Sequence, residues 1–292
     1  MNLILPLIAF VVGWILAQTQ FAVGLKPAFA TLLARVFIPI VIIYNMVFYQ
    51  TGSLSLMLFS FVSAVLLYAL FMQCFKDRLG ALCFSYVNMA WLGFPFAIAL
   101  FGTQISPAMV ALYIGGSIFG NIWAVTAVSS VPQPKSVIIK KVMQSPPFVA
   151  LVLAGLFRLM GLQNIQETYW IDHVYSASKI GMTFAGMCVL GMWLRRTKVS
   201  VDDLKRSSMI LALKIICGIA SCSIAYFYLP IPHVQQYIGV MFLLFCLPPA
   251  ANIVALETHY QGTGVSAKYI ASGTIVSCVL IAVYGMLLHF YF

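Results

Sequence analysis

Two short stretches hold the residues best placed to do chemistry in a mostly apolar chain. They are Gly93-Phe94-Pro95, preceded by Asn88, and Pro248-Pro249, followed by Asn252. Proline has no N–H to donate and its ring clashes with the carbonyl one turn earlier, so it interrupts a helix. It also suits the first position of a new helix and pushes the residue before it out of helical backbone. Pro95 and Pro249 are therefore each expected to open a half-helix. The N-terminus of a half-helix presents N–H groups and partial positive charge, which suit an anion. The amides of Asn88 and Asn252 either bind a carboxylate or satisfy the freed backbone groups. Prolines that only kink a helix are common in membranes, but two matched breaks argue for more than kinking.

Other polar groups are sparse. Tyr44, Asn45 and Asn121 fall inside apolar runs and either line a pocket or pack within a helix bundle. Arg35 and Lys179 each lie about eight residues inside an apolar run. Ionisable groups at such depth face a cavity or a partner, or snorkel to the interface. An anion-binding role competes with snorkelling for both. Glu257 is the only carboxylate deep inside an apolar run. Its alternatives are proton coupling and an interfacial ion pair with Lys268. Arg158 and Lys214 read as interfacial anchors near helix ends. The six acidic residues include one adjacent pair, Asp202-Asp203, and no cluster that would hold a metal or run hydrolysis. An enzyme is therefore not expected, nor is a cofactor or a metal. The seven cysteines lack metal-ligand spacing and read as small apolar residues.

The elements that carry these residues follow from composition. The chain has 292 residues, of which 63% are hydrophobic and 8% charged, with a mean hydropathy of +1.03. A soluble domain carries about 25% charged residues, so the solvent for most of this surface is lipid. The net charge of +10 does not indicate nucleic acid, because the basic residues fall between apolar runs and not on one face. Ten apolar runs are visible, at 3–20, 27–50, 54–75, 80–102, 106–130, 146–162, 171–194, 208–229, 238–261 and 266–291. About 20 apolar residues span a bilayer as a helix, and runs of this length exclude barrel strands of about ten residues. The first run has no basic segment before it and is expected to be a retained span.

Counting the loops in order, alternate loops hold Lys26, then Lys76 and Arg78, then Lys135, Lys140 and Lys141, then Arg195, Arg196, Lys198, Lys205 and Arg206, then Lys268. These are 12 of the 16 basic residues, and the intervening loops hold Glu167, Asp172 and His233 but no Lys or Arg. The positive-inside rule then puts both termini on the periplasmic or external side of the inner (plasma) membrane. The segments 131–145 and 195–206 read as cytoplasmic loops. Ten spans divide as five plus five, over 1–145 and 146–292, and an odd number makes the second set inverted. Arg35 and Lys179, 144 residues apart, hold matching places in the second span of each half, and the fourth span of each half contains the proline break.

The stretch from Asn88 through Gly93-Phe94-Pro95 to Leu100-Phe101-Gly102 resembles the fourth helix of the auxin efflux carrier family. Leu247-Pro248-Pro249-Ala250-Ala251-Asn252, with Glu257 and Tyr260 after it, is similar to that family's ninth helix. Leu5-Pro6-Leu7 with Gly13, Pro39, and Gly191-Met192-Trp193-Leu194 fit as well. The resemblance covers the whole chain. It implies an all-α membrane protein of ten helices in two inverted repeats, with broken helices four and nine crossing at their prolines. It also implies elevator-like secondary transport of small organic anions, mono- or dicarboxylates such as malate or malonate in the bacterial permeases. Related bile-acid symporters share the architecture, so a sodium- or proton-coupled symporter stays open, as does a receptor-like relative that does not transport. One departure stands out: Tyr49-Gln50-Thr51 offers no acidic–basic pair at the end of span two. The expected partners are the organic anion and the lipid bilayer, with a homodimer allowed and nucleic acid excluded.

Overall fold

The computed structural model describes residues 4–48, 52–128, 134–162, 169–260 and 265–291. Tyr49, Gln50 and Thr51, and the outward Glu167, lie outside the described residues. Each apolar run is mainly helical over its described part, and no strand occurs among the described residues. The order is α1 (Ile4–Leu16), α2 (Ala22–Leu32), α3 (Ile38–Val47), α4 (Ser53–Phe75), α5 (Arg78–Ser85), α6 (Phe94–Phe101) and α7 (Ser106–Val128). It continues with α8 (Lys135–Met143), α9 (Pro146–Leu159), α10 (Tyr169–Arg196), α11 (Val201–Tyr228), α12 (Val234–Cys246), α13 (Asn252–Tyr260) and α14 (Val265–Tyr291). A π-helical segment, Leu33–Phe37, joins α2 to α3, and a second, Met89–Gly93, runs directly into α6.

Among the described residues, six helical stretches are long and apolar enough to cross a membrane: Ala22–Val47, Ser53–Phe75, Thr103–Val128, Trp170–Arg196, Val201–Tyr228 and Val265–Phe290. Ile4–Leu16, Met89–Phe101, Pro146–Leu159 and Val234–Cys246 are shorter apolar helices. With only 8% charged residues, this is an all-α, multi-pass membrane protein. Its outward faces carry exposed side chains such as Leu66, Ile216, Phe227 and Val279.

Close helix contacts use glycine, because apolar burial drives little association in lipid and backbone approach must supply the packing. A Cβ on Gly13 of α1 would stand 2.0 Å from the Cys188 carbonyl oxygen of α10, and one on Gly191 would stand 2.2 Å from that of Phe10. These two helices therefore meet backbone to backbone. Gly115 of α7 meets the Met57 carbonyl of α4 in the same way, at 2.1 Å.

Two segments read as loops are helical. Lys135–Met143 forms α8, opening after Pro134, with Lys140 and Lys141 in its last turn and Ile139 exposed. It combines three lysines with five apolar residues. The helix α11 begins at Val201 and not near 208, because Ser200 and Asp203 cap it reciprocally. The Asp203 carboxylate accepts from the Ser200 N–H at 3.0 Å, and the Asp203 N–H donates to the Ser200 hydroxyl at 3.2 Å.

Candidate functional site

The chain is extended at two places in the middle of the helices, and these two places pair with each other. Val87 and Pro249 form an isolated antiparallel bridge. The Asn88 N–H donates to the Pro248 carbonyl at 2.8 Å, and the Ala250 N–H donates to the Tyr86 carbonyl at 2.8 Å. Backbone groups freed at membrane depth have no water to turn to; here each break satisfies the other.

This arrangement moves the first break and, at the second, corrects the part that Pro249 plays. Pro95 is at the start of α6, but the helix has already begun at Met89, so nothing is interrupted at Gly93-Phe94-Pro95. The break lies at Tyr86–Asn88, where there is no proline. Gly93 and Pro95 are both buried and pack the half-helix. A Cβ on Gly93 would come within 2.7 Å of Met109 Cε and 2.9 Å of Leu247 Cδ1. Pro249 likewise does not open its half-helix. It sits in the extended pairing segment, and α13 starts at Asn252.

Two half-helices therefore begin on either side of the bridge, one at Met89 and the other at Asn252. A cavity of about 170 Å³ is lined by both N-terminal ends, through Asn88, Met89, Ala90 and Trp91 on one side and Ala250, Ala251 and Asn252 on the other. Its remaining wall comes from Tyr86, from Tyr113 and Ser117 of α7, and from Ala30, Ala34 and Ile38 along the π-bulged second helix. No carboxylate lines it. Ligand pockets commonly run from about 300 to 1,000 Å³, so this one suits a small molecule.

Asn88 and Asn252 hold the site's two amides. The Asn88 Oδ1 accepts from the Trp91 N–H at 3.2 Å and so caps the half-helix that follows. Its Nδ2 is buried and has no hydrogen-bond partner. The Asn252 Nδ2 donates to the Tyr86 hydroxyl at 3.1 Å. The Tyr86 ring leans on Gly120, where a Cβ would stand 2.3 Å from the ring. Gly120→Ala must displace that ring and its bond to Asn252. Overpacking of this kind costs about 1–3 kcal/mol, and we expect it as a lower unfolding midpoint of the purified protein.

The other candidates lie elsewhere. The Tyr44 hydroxyl donates to Asp172 at 2.6 Å, and its ring stacks on Tyr175 at 3.8 Å. The Asn45 Nδ2 donates to the Val41 carbonyl at 2.7 Å and to the Tyr175 hydroxyl at 3.2 Å. Lys179 places its ammonium 4.2 Å over the same Tyr175 ring. These residues form one polar cluster between α3 and α10, apart from the crossing. Arg35 sits in the π-helical segment with its side chain exposed. The Asn121 Nδ2 donates back to the Ser117 carbonyl at 2.8 Å, so Asn121 braces a cavity residue without lining the cavity. Glu257 is fully buried. Its carboxylate accepts from the Val265 and Ser266 N–H groups, each at 3.0 Å, which caps α14. That contact makes it a buried cap of the scaffold.

Sequence reasoning missed Lys214. It is not an interfacial anchor: it is 3% exposed, and its Nζ donates to the Leu247 carbonyl at 2.7 Å. Leu247 ends α12 next to Pro248 and Pro249, so this lysine stands at the crossing, against a helix C-terminus. The signal that would have found it is the Ser200/Asp203 capping pair. That pair starts α11 early enough to put Lys214 about 20 Å of helix rise from its beginning. Tyr86, Trp91 and Ser117 also belong to the site without having been singled out. No protein-family model matches the chain, and no curated protein matches it.

Proposed function

We propose that the protein is a secondary transporter of a small organic anion, similar to the auxin efflux carriers, and that the anion's carboxylate binds where the two broken helices cross. The observation that carries this reading is the buried, unpartnered Nδ2 of Asn88, a residue that lines a cavity flanked by two half-helix N-termini. A buried donor left unsatisfied costs about 1–3 kcal/mol. An acceptor arriving in the cavity recovers that cost. Two positive helix ends and no lining carboxylate make an anionic acceptor the favoured one. The mostly apolar wall, with Trp91 and Tyr113, suits the body of an organic acid.

In this reading the chain is ten spans in two inverted repeats, 1–145 and 146–292, with both termini outside the inner membrane. Recurrent packing supports the repeat. Helix α1 packs on α10 while α9 packs on α3, and α4 packs on α7 while α11 packs on α14. An antiparallel bridge is itself two-fold symmetric, as a crossing of inverted repeats requires. Transport then proceeds by elevator-type movement of the crossing helices against the outer ones.

Uptake of labelled mono- and dicarboxylates into proteoliposomes tests the proposal. Saturable uptake of at least one acid, competed by the unlabelled acid, is the expected result. If no acid enters, and Asn88 and Pro249 substitutions leave ligand-induced stabilisation unchanged, the proposal fails.

A further inference from the structure

Lys214 is the one described lysine held inside the protein among the crossing helices, and the anion site makes no use of it. Its ammonium meets the Leu247 carbonyl at the C-terminal end of α12, where the last carbonyls of a helix lack intrahelical partners and carry partial negative charge. Lys214 lines two small cavities, of about 50 and about 20 Å³. The smaller is walled by Ser60, Ser63 and Ser85 with Val87 of the bridge. No carboxylate lines either one. Arg206, at the far end of the larger cavity, is engaged by the Tyr269 ring at 4.6 Å. In transporters with inverted repeats, anionic substrates face half-helix N-termini, while unwound carbonyls and half-helix C-termini hold the coupling cation. Here the C-terminal position is filled by a charge attached to the chain.

We propose that Lys214 is a built-in cation of the crossing: its ammonium stands where a co-transported Na⁺ would otherwise bind, so the transport cycle needs no dissolved metal cation. This rests on the reading of the crossing as an anion carrier, and it deepens that reading by assigning the coupling. The three serines of the smaller cavity, together with the Leu247 carbonyl, offer oxygens of the kind a small cation takes up. Removing the ammonium should leave those oxygens open to one.

The test compares unfolding midpoints of the purified protein in NaCl, LiCl, ammonium chloride and choline chloride at equal ionic strength. The wild-type protein is expected to show the same midpoint in Na⁺ and in choline. Lys214→Ala is expected to unfold at a lower temperature in choline and to regain part of the difference, saturably, with Na⁺, Li⁺ or ammonium. Lys214→Gln keeps a donor for the Leu247 carbonyl without the charge, and is expected to acquire the same response if the alanine variant does not fold. A saturable, Na⁺-specific stabilisation of the wild type overturns the proposal, as does a Lys214→Gln protein indifferent to all the cations. Because these measurements use no organic anion, failure of carboxylate uptake would overturn the transporter reading separately.

Discussion

Replacing Asn88 with aspartate is expected to abolish detectable binding of organic anions while leaving the fold in place. Aspartate is a strong helix N-cap, so it keeps the bond from the Trp91 N–H that Asn88 Oδ1 now accepts. What changes is the other half of the side chain. The unpartnered Nδ2 donor becomes an oxygen with negative charge, facing the incoming carboxylate. A hydrogen bond to a charged group contributes about 1.5–3 kcal/mol. Its loss alone corresponds to about a 10- to 140-fold weaker Kd, and like-charge repulsion adds to that. Asn88→Ala is expected to show the first loss without the repulsion, together with a cap penalty of about 1 kcal/mol. Titration calorimetry with the best-bound acid checks both. Equal affinities for the aspartate and alanine variants would mean that the amide does not face the ligand.

The largest expected effect on stability is at Glu257. This carboxylate is fully buried and holds the first N–H groups of α14 at Val265 and Ser266, as well as the Ser266 hydroxyl. Two orphan donors of a helix N-terminus and its positive end are thus met by one charge. Glu257→Ala removes the acceptor and leaves those groups buried. Each buried donor left unsatisfied costs about 1–3 kcal/mol, and three lose their acceptor here, so this variant should unfold well below the wild type or fail to accumulate in the membrane. Glu257→Gln keeps the shape and one acceptor oxygen, and is expected to lose about 1–3 kcal/mol. If Glu257 instead served proton coupling, the glutamine variant would keep full stability and lose transport. Unfolding midpoints and uptake measured on the same preparation distinguish the two.

The parts of this molecule that sequence makes legible are those set by local composition. Apolar runs long enough to cross lipid could only be helices, and the described helices follow the ten runs within a few residues at most ends. Asn88 and Asn252 were also legible, because an amide inside an apolar run needs a reason to be there. Break positions were less so. Pro248-Pro249 marks its own break, since two successive prolines deny the backbone two helical donors. The partner break at Tyr86–Asn88 has no such mark. It is held open by hydrogen bonds to residues 248–250, a contact spanning more than half the chain, which no local pattern carries. Pro95 drew the reading to the wrong place because a proline just inside a helix start looks the same whether the helix begins there or one turn earlier.

Charges were misplaced for a related reason. Lys214 lies near a helix end only if α11 begins near 208, where the apolar run starts. Tyr44, Asn45 and Lys179 share depth with a central site, but hydropathy gives depth and not azimuth. The structure turns them to Asp172 and Tyr175 instead. Glu257, read for its charge, is explained by the helix end it caps.

The most direct measurement of the central claim is an experimental structure of the protein with the most strongly stabilising carboxylate, in a form carrying a bromine for anomalous scattering or strong map contrast. The account predicts the carboxylate within hydrogen-bond distance of Asn88 Nδ2, beside the bridge of Val87 and Pro249, with Trp91 and Tyr113 against the organic body. A carboxylate bound at Lys179 and Tyr175, or anywhere else away from the crossing, would contradict it.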